Sequence, residues 1–121
     1  MSTVHHKTFM HPEEVREFSH GKVENLHFED GVVGRMTLQP GWAWSKDVKP
    51  TAGTELCQVA HFSYQTSGIL HVRMADGSEY DFGPQDVSVI PPGHDAWVIG
   101  NEPVVIFDWT GVTAGYAKPS P

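Results

Sequence analysis

One stretch of the chain decides its fold class: ILHVRMADGSEYDF, residues 69–82. Two runs rich in β-branched and aromatic residues, 69–74 and 78–82, flank the dipeptide Asp76-Gly77. Asp-Gly between such runs is a strong short-range signal for a β-hairpin. We therefore predict that the two runs pair as antiparallel strands.

Runs of similar length and composition lie on both sides of this hairpin. The chain holds 12 Gly and 9 Pro, which separate these runs and leave little room for helices. One short N-terminal helix is expected over residues 12–18, because a Pro and two Glu suit a first helical turn. The pattern is otherwise all-β and favours a closed antiparallel barrel, since closure removes exposed strand edges. The other predicted strands are residues 32–39, 54–65, 87–90, 96–99 and 104–109.

Length and charge limit the classes of protein that fit. A chain of 121 residues suits a single domain over 1–121, with loose tails expected at 1–10 and 112–121. The net charge of −7 disfavours nucleic acid and anionic membranes as partners. Cys57 is the only cysteine, and the first ten residues lack the apolar segment of a secretory signal. We therefore expect a cytoplasmic protein without a membrane span.

The segment TELCQVAHFSYQ, residues 54–65, carries the first group of residues suited to chemistry. If it is one extended strand, alternation puts Glu55, Cys57 and His61 on one face and apolar side chains on the other. A buried cysteine that packs as a small apolar group, beside a hydrogen-bonded core histidine, explains the same pattern. The strand alone favours this simpler interpretation.

The segment GPQDVSVIPPGHDAWVIG, residues 83–100, carries the second group. Its Pro-Pro-Gly run predicts a turn, after which His94, Asp95 and Trp97 follow at the start of a strand. Two interpretations are equally open: a platform for a ligand, or a rigid loop whose polar side chains bond its own backbone.

Three tryptophans lie near predicted strand ends: Trp42, Trp44 and Trp97. They suit the apolar wall of a small-molecule site at the mouth of a barrel. Filling of the core is the default interpretation for such large rings.

The chain resembles the cupin superfamily over residues 35–109. The resemblance rests on the spacing of His61 to Gly68 and of Asp86 to Pro91 and Gly93. It implies an antiparallel double-stranded β-helix, which is a jelly-roll barrel. The stretches PGWAW, VKPTAGT, CQVAH, SGILHV, DGSEY and IPPGHDAWV are also similar to a group of small single-domain bacterial cupins of undefined role.

The resemblance also implies where a metal would be held. At the four places where cupins usually carry three His and one Glu, this chain has Glu55, Cys57, His61 and Ala96. The usual set for iron or manganese is therefore absent. Cys57, His61 and His94 would instead suit tetrahedral zinc, with water, Glu55 or a ligand in the fourth position.

Three functions follow from these residues, in order of preference. The first is small-molecule binding in a barrel pocket, with or without a metal. The second is a zinc-like, metal-dependent enzyme that acts on a small polar substrate. The third is a structural dimer module. We expect a homodimer, because the apolar face of residues 54–65 needs cover, which a partner or the chain's own N-terminal strands would give. The predicted ligand-binding residues are Trp42, Glu55, His61, His94 and Trp97, and the predicted metal ligands are Cys57, His61 and His94.

Overall fold

The computed structural model describes residues 3–29 and 31–109. Nine strands and two four-residue helices form this part of the chain. The tail predicted at 112–121 lies outside the described residues. The strands are β1 (Glu14–Phe18), β2 (Gly21–Phe28), β3 (Gly31–Leu38), β4 (His61–Ser67), β5 (Ile69–Met74), β6 (Glu79–Phe82), β7 (Val87–Ile90), β8 (His94–Ile99) and β9 (Val104–Asp108), and the helices are α1 (Trp44–Asp47) and α2 (Lys49–Ala52).

The strands form two antiparallel sheets around one apolar core. A six-stranded sheet has the order β1-β2-β3-β9-β4-β7, and a three-stranded sheet has the order β6-β5-β8. Core side chains come from both sheets, among them Met36 and Ile106 from the larger and Val72 and Val98 from the smaller. The predicted antiparallel, β-rich class is confirmed.

The sheets are not closed into the predicted barrel. Strands β6 and β7 follow one another along the chain, but β6 pairs with β5 and β7 pairs with β4. Each is the edge of its own sheet. The described strands therefore form a sandwich-like arrangement that is open between these two edges.

The hairpin predicted over residues 69–82 is confirmed. Strand β5 pairs with β6 in a register that sets Leu70 opposite Phe82 and Val72 opposite Tyr80. The carboxylate of Asp76 accepts the backbone N–H of Ser78 at 2.9 Å and closes the turn. This is the local geometry that the Asp-Gly sequence favours.

The short N-terminal helix is a wrong prediction, because this segment is strand β1. It pairs along its whole length with β2, from Glu14 opposite Asn25 to Phe18 opposite Gly21. Alternating burial along β1 shows the period of two of a half-buried strand. Pairing with a long neighbouring strand therefore outweighs a weak local preference for a helical turn.

The helices lie instead in the segment between β3 and β4, where none was predicted. The carboxylate of Asp47 accepts the backbone N–H of Ala43 at 2.9 Å, which ties the start of α1. Gly53 ends α2 in the left-handed region at a φ of 77°. In the described part of the chain no helix has the length and hydropathy needed to cross a bilayer.

The predicted strand 54–65 exists only from His61 onward. Local bonds from the side chains of Thr54 and Gln58 to the carbonyl of Leu56 favour an irregular path before it. Within that path Cys57 forms an isolated bridge with His94. The alternation argument for residues 54–60 therefore does not apply.

The larger sheet exposes an apolar surface on its outer side, which we call the outer apolar face. Phe62 on β4 is 41% exposed, and Val87 and Val89 on β7 are 62% and 74% exposed. Trp109 is 45% exposed and packs its ring 5.9 Å from that of Phe62. These exposures show that no described segment covers this face fully.

Candidate metal centre and ligand pocket

Three buried side chains from three segments come together between the sheets. The ligand atoms of Cys57, His61 and His94 all lie within 4.8 Å of one another. Zinc bonds of about 2.0–2.3 Å would set such atoms about 3.3–3.8 Å apart in a tetrahedron. Atoms up to 4.8 Å apart would therefore have to move closer together to bind one ion.

Backbone hydrogen bonds hold two of these residues side by side. The N–H of Cys57 donates to the carbonyl of His94 at 2.8 Å, and the N–H of Gly93 donates to the carbonyl of Cys57 at 2.7 Å. His94 follows a turn in which Gly93 has a φ of 93°, a conformation that favours glycine. The turn that the Pro-Pro-Gly run predicts thus fixes the position of both side chains.

A fully buried carboxylate orients His61. Its Nδ1 lies 2.8 Å from Oδ2 of Asp108, and the hydroxyl of Ser63 donates to the same oxygen at 3.2 Å. A carboxylate accepts, so Nδ1 carries a hydrogen, and in the neutral ring the lone pair lies on Nε2. Metal-bound histidines are commonly oriented by a carboxylate in this way.

The backbone orients His94. Its Nδ1 donates to the carbonyl of Pro91 at 2.8 Å, which again leaves the lone pair on Nε2. Burial lowers the pKa of His94 to about 4, so the ring is neutral at pH 7. A neutral imidazole with a fixed tautomer is the form that binds a metal.

Burial also sets the state of the cysteine. It raises the pKa of the Cys57 thiol to about 11. The thiol is therefore protonated at neutral pH unless a cation lies against it, and a coordinated thiol loses its proton. The donor set of one thiolate and two neutral imidazoles fits a borderline ion such as zinc.

A small, partly open chamber with a volume of about 30 Å³ lies against the two histidines. Its walls are mainly apolar and come from both sheets and from the segment before α1. The indole Nε1 of Trp42 is buried and has no hydrogen-bond partner among the described residues. The lining residues are Met36, Leu38, Trp42, Trp44, His61, Ser63, Gln65, Leu70, Val72, Ser88, Ile90, His94, Ala96 and Ile106.

Two carboxylates hold the segment that carries Trp42 and Trp44 against the chamber. Asp95, next to His94 on β8, accepts the backbone N–H of Ser45 at 3.1 Å. Asp47 accepts the N–H of Ala43 and lies 3.1 Å from Nδ1 of His20. The position of this wall therefore depends on bonds to β8 and to the turn between β1 and β2.

The structure places two of the predicted site residues away from the chamber. The carboxylate of Glu55 is 91% exposed and pairs with Lys49 at 2.9 Å, because its segment is not a strand. Trp97 lies on the opposite face of β8, where its ring packs 4.6 Å from that of His71 and under the guanidinium of Arg73. The other predicted ligand-binding residues, Trp42, His61 and His94, line the chamber.

Sequence reasoning missed Asp108. It lies 47 residues from His61, and only the pairing of β4 with β9 brings it opposite Ser63. The sequence held one indication of its burial. Val104, Ile106 and Asp108 share one face of a strand, so Asp108 continues a series of buried apolar residues.

The comparisons with known proteins fit this architecture. No protein-family model and no curated protein matches the sequence. An RmlC-like cupin from Shewanella frigidimarina superposes with a TM-score of 0.59 at 16% identity, over 88% of this chain and 91% of that one. A cupin-like protein from Thermotoga maritima gives a TM-score of 0.55 at 16% identity, over 88% of this chain and 84% of that one.

A third solved structure extends the likeness to an enzyme. The polyketide cyclase RemF from Streptomyces resistomycificus gives a TM-score of 0.56 at 20% identity, over 90% of this chain and 78% of that one. Identities this low establish the fold and leave the chemistry to the side chains. Together with the two antiparallel sheets, these likenesses show that the chain has the fold of the cupin superfamily, as its sequence resemblance predicts.

Proposed function

We propose that the protein binds a small molecule at a zinc-like divalent ion held by Cys57, His61 and His94. The observation that carries the proposal is the meeting of three buried donor atoms within 4.8 Å. When bound, such an ion offers a Lewis-acidic position to an oxygen of the ligand.

The surroundings of the two histidines support the same proposal. Each Nδ1 donates to an acceptor, His61 to Asp108 and His94 to the carbonyl of Pro91. Both rings are therefore fixed with Nε2 as the coordinating nitrogen.

The chamber favours binding over metal-assisted hydrolysis. Hydrolysis needs a positioned general base beside the bound water. None of the described residues that line the chamber is a carboxylate, and Glu55 pairs with Lys49 at the surface. Catalysis on a small polar substrate stays the second candidate, supported by the carboxylate-oriented histidine.

Metal analysis tests the proposal. Untagged protein, purified without added metal and then incubated with zinc, should hold about one ion per chain. Cys57→Ala and His94→Ala should each weaken zinc binding by more than the roughly 10- to 100-fold that loss of an orienting partner costs. The measurement is a competition titration against a chromophoric chelator.

A matched control separates the centre from histidine loss in general. His71→Ala removes another partly buried histidine, which bonds Glu79 and Asp81 outside the chamber. It should leave zinc affinity unchanged. A wild-type protein that carries no metal and takes up no zinc would refute the metal centre.

A further inference from the structure

A second hollow adjoins the chamber at the open side of the fold. It has a volume of about 670 Å³ and lies between the edges of β6 and β7. We call it the interstrand groove. The chamber and the groove share Val72, Ser88 and Ile90 as wall residues.

The chamber is too small for a whole organic ligand. A cavity needs about 10–15 Å³ to hold one water, and a volume of about 30 Å³ has room only for a small group of atoms. Small-molecule sites usually measure about 300–1,000 Å³. A ligand that reaches the histidines must therefore keep most of its atoms outside the chamber.

The groove offers an aromatic wall for those atoms. On β5, Val72 and Leu70 face the core. Their partners on β6, Tyr80 and Phe82, lie on the same side of the sheet. Their rings are nearly parallel, at 11°, with centroids 6.3 Å apart. Tyr80 is nevertheless 51% exposed. A flat apolar group placed on this wall would remove both rings from water.

Among the polar groups of the chamber wall, the indole of Trp42 offers a hydrogen-bond donor that a ligand can use. The buried indole N–H of Trp42 has no acceptor among the described residues. Leaving a buried donor unpaired costs about 1–3 kcal/mol. An oxygen of a bound ligand would satisfy it.

We propose that the ligand has an oxygen-bearing head and a flat apolar body, with the head in the chamber and the body in the interstrand groove. This inference rests on the function proposed above. The head accepts a hydrogen bond from Nε1 of Trp42, and the body lies against Tyr80 and Phe82.

Two carboxylate probes test the division into head and body. Butyrate and 4-phenylbutyrate carry the same head, and only the second has an aromatic ring. Isothermal titration of zinc-loaded protein should show 4-phenylbutyrate binding about tenfold more tightly or better. Tyr80→Ser should remove most of this difference, whereas Phe62→Ser, which removes an exposed ring on the outer apolar face, should preserve it.

A second pair of variants tests the head. Trp42→Phe keeps the apolar wall and deletes the N–H, so it should weaken both probes by about tenfold with zinc content unchanged. Trp109→Phe, outside the chamber, should weaken neither. Circular dichroism verifies that each variant is folded.

The results distinguish this inference from the metal proposal. Equal affinity for the two probes, or a difference that survives Tyr80→Ser, would overturn it. So would a change from dimer to monomer in Tyr80→Ser, since the groove would then be an interface between copies. If the protein takes up no zinc, the metal proposal fails. The comparison of butyrate with 4-phenylbutyrate on the protein as isolated then still shows whether the groove binds an apolar body.

Discussion

Replacing Asp108 by Asn perturbs the metal centre through a residue that touches no metal. The carboxylate is fully buried, lies 2.8 Å from Nδ1 of His61, and accepts the hydroxyl of Ser63 at 3.2 Å. Asn keeps the shape and an accepting oxygen but loses the negative charge. Charge-assisted bonds are about twice as strong as neutral ones.

The expected loss follows from that bond. Partners that orient a metal-bound histidine contribute about 10- to 100-fold in metal affinity, which corresponds to about 1.4–2.7 kcal/mol. Asp108→Asn should therefore weaken zinc binding within this range. Asp108→Ala, which leaves His61 and Ser63 without their shared acceptor, should also lower the free energy of unfolding by about 1–3 kcal/mol.

The assay is a zinc competition titration, with urea unfolding of the metal-free protein alongside. Asp81→Asn is the matched control, because Asp81 forms a similar pair with Nδ1 of His71 at 2.6 Å on the protein surface. Its zinc affinity should equal that of the wild type. A folded Asp108→Asn protein whose zinc affinity stays within twofold of the wild type would refute the orienting role.

Three other predictions concern the fold. Hydrogen bonds to Glu79 and Asp81 raise the pKa of His71 above its usual value. The stabilising effect of His71 is therefore complete below about pH 6.5 and is lost as the pH rises through the folded pKa. The difference in urea midpoint between wild type and His71→Gln should be larger at pH 5.5 than at pH 8.5, and the reverse order would refute this pH dependence. Gly68→Ala should lower the urea midpoint much more than Gly77→Ala. Both glycines have positive φ, but of the two only Gly68 would bring a Cβ to 2.5 Å from a backbone carbonyl oxygen. Equal losses in the two variants would contradict this steric argument. The homodimer stays a prediction: light scattering should give twice the chain mass, and a monomer at micromolar concentration would show that the outer apolar face is left in water.

Local turn chemistry explains which parts of the fold were predictable. The Asp76-Gly77 hairpin follows from two residues that favour one turn, and its strands are neighbours in sequence. The helix expected at residues 12–18 was wrong because the partner strand β2, not the local sequence, decides the conformation there. Closure of the barrel was also wrong, since which edges pair is a property of the whole fold.

The candidate site shows the same division. The turn before His94 was predictable, and so was its proximity to His61, through the spacing that resembles cupins. Glu55 was misplaced because alternation was applied to a segment that is not extended. Asp108 was missed because its contact with His61 depends on the register between β4 and β9, which a single sequence does not specify.

The open edge between β6 and β7 makes the width of the groove adjustable. Backbone ladder bonds run within each sheet, so the two edges can move apart without breaking any of them. The connecting turn, where Gly83 donates to the carboxylate of Asp86 at 2.7 Å, would act as the pivot. Ligands of different thickness would then be accommodated by a small rotation of one sheet against the other, and the rotation would have to stretch the bond from Nε2 of Gln65 on β4 to the carbonyl of Phe82 on β6, which is 2.9 Å long.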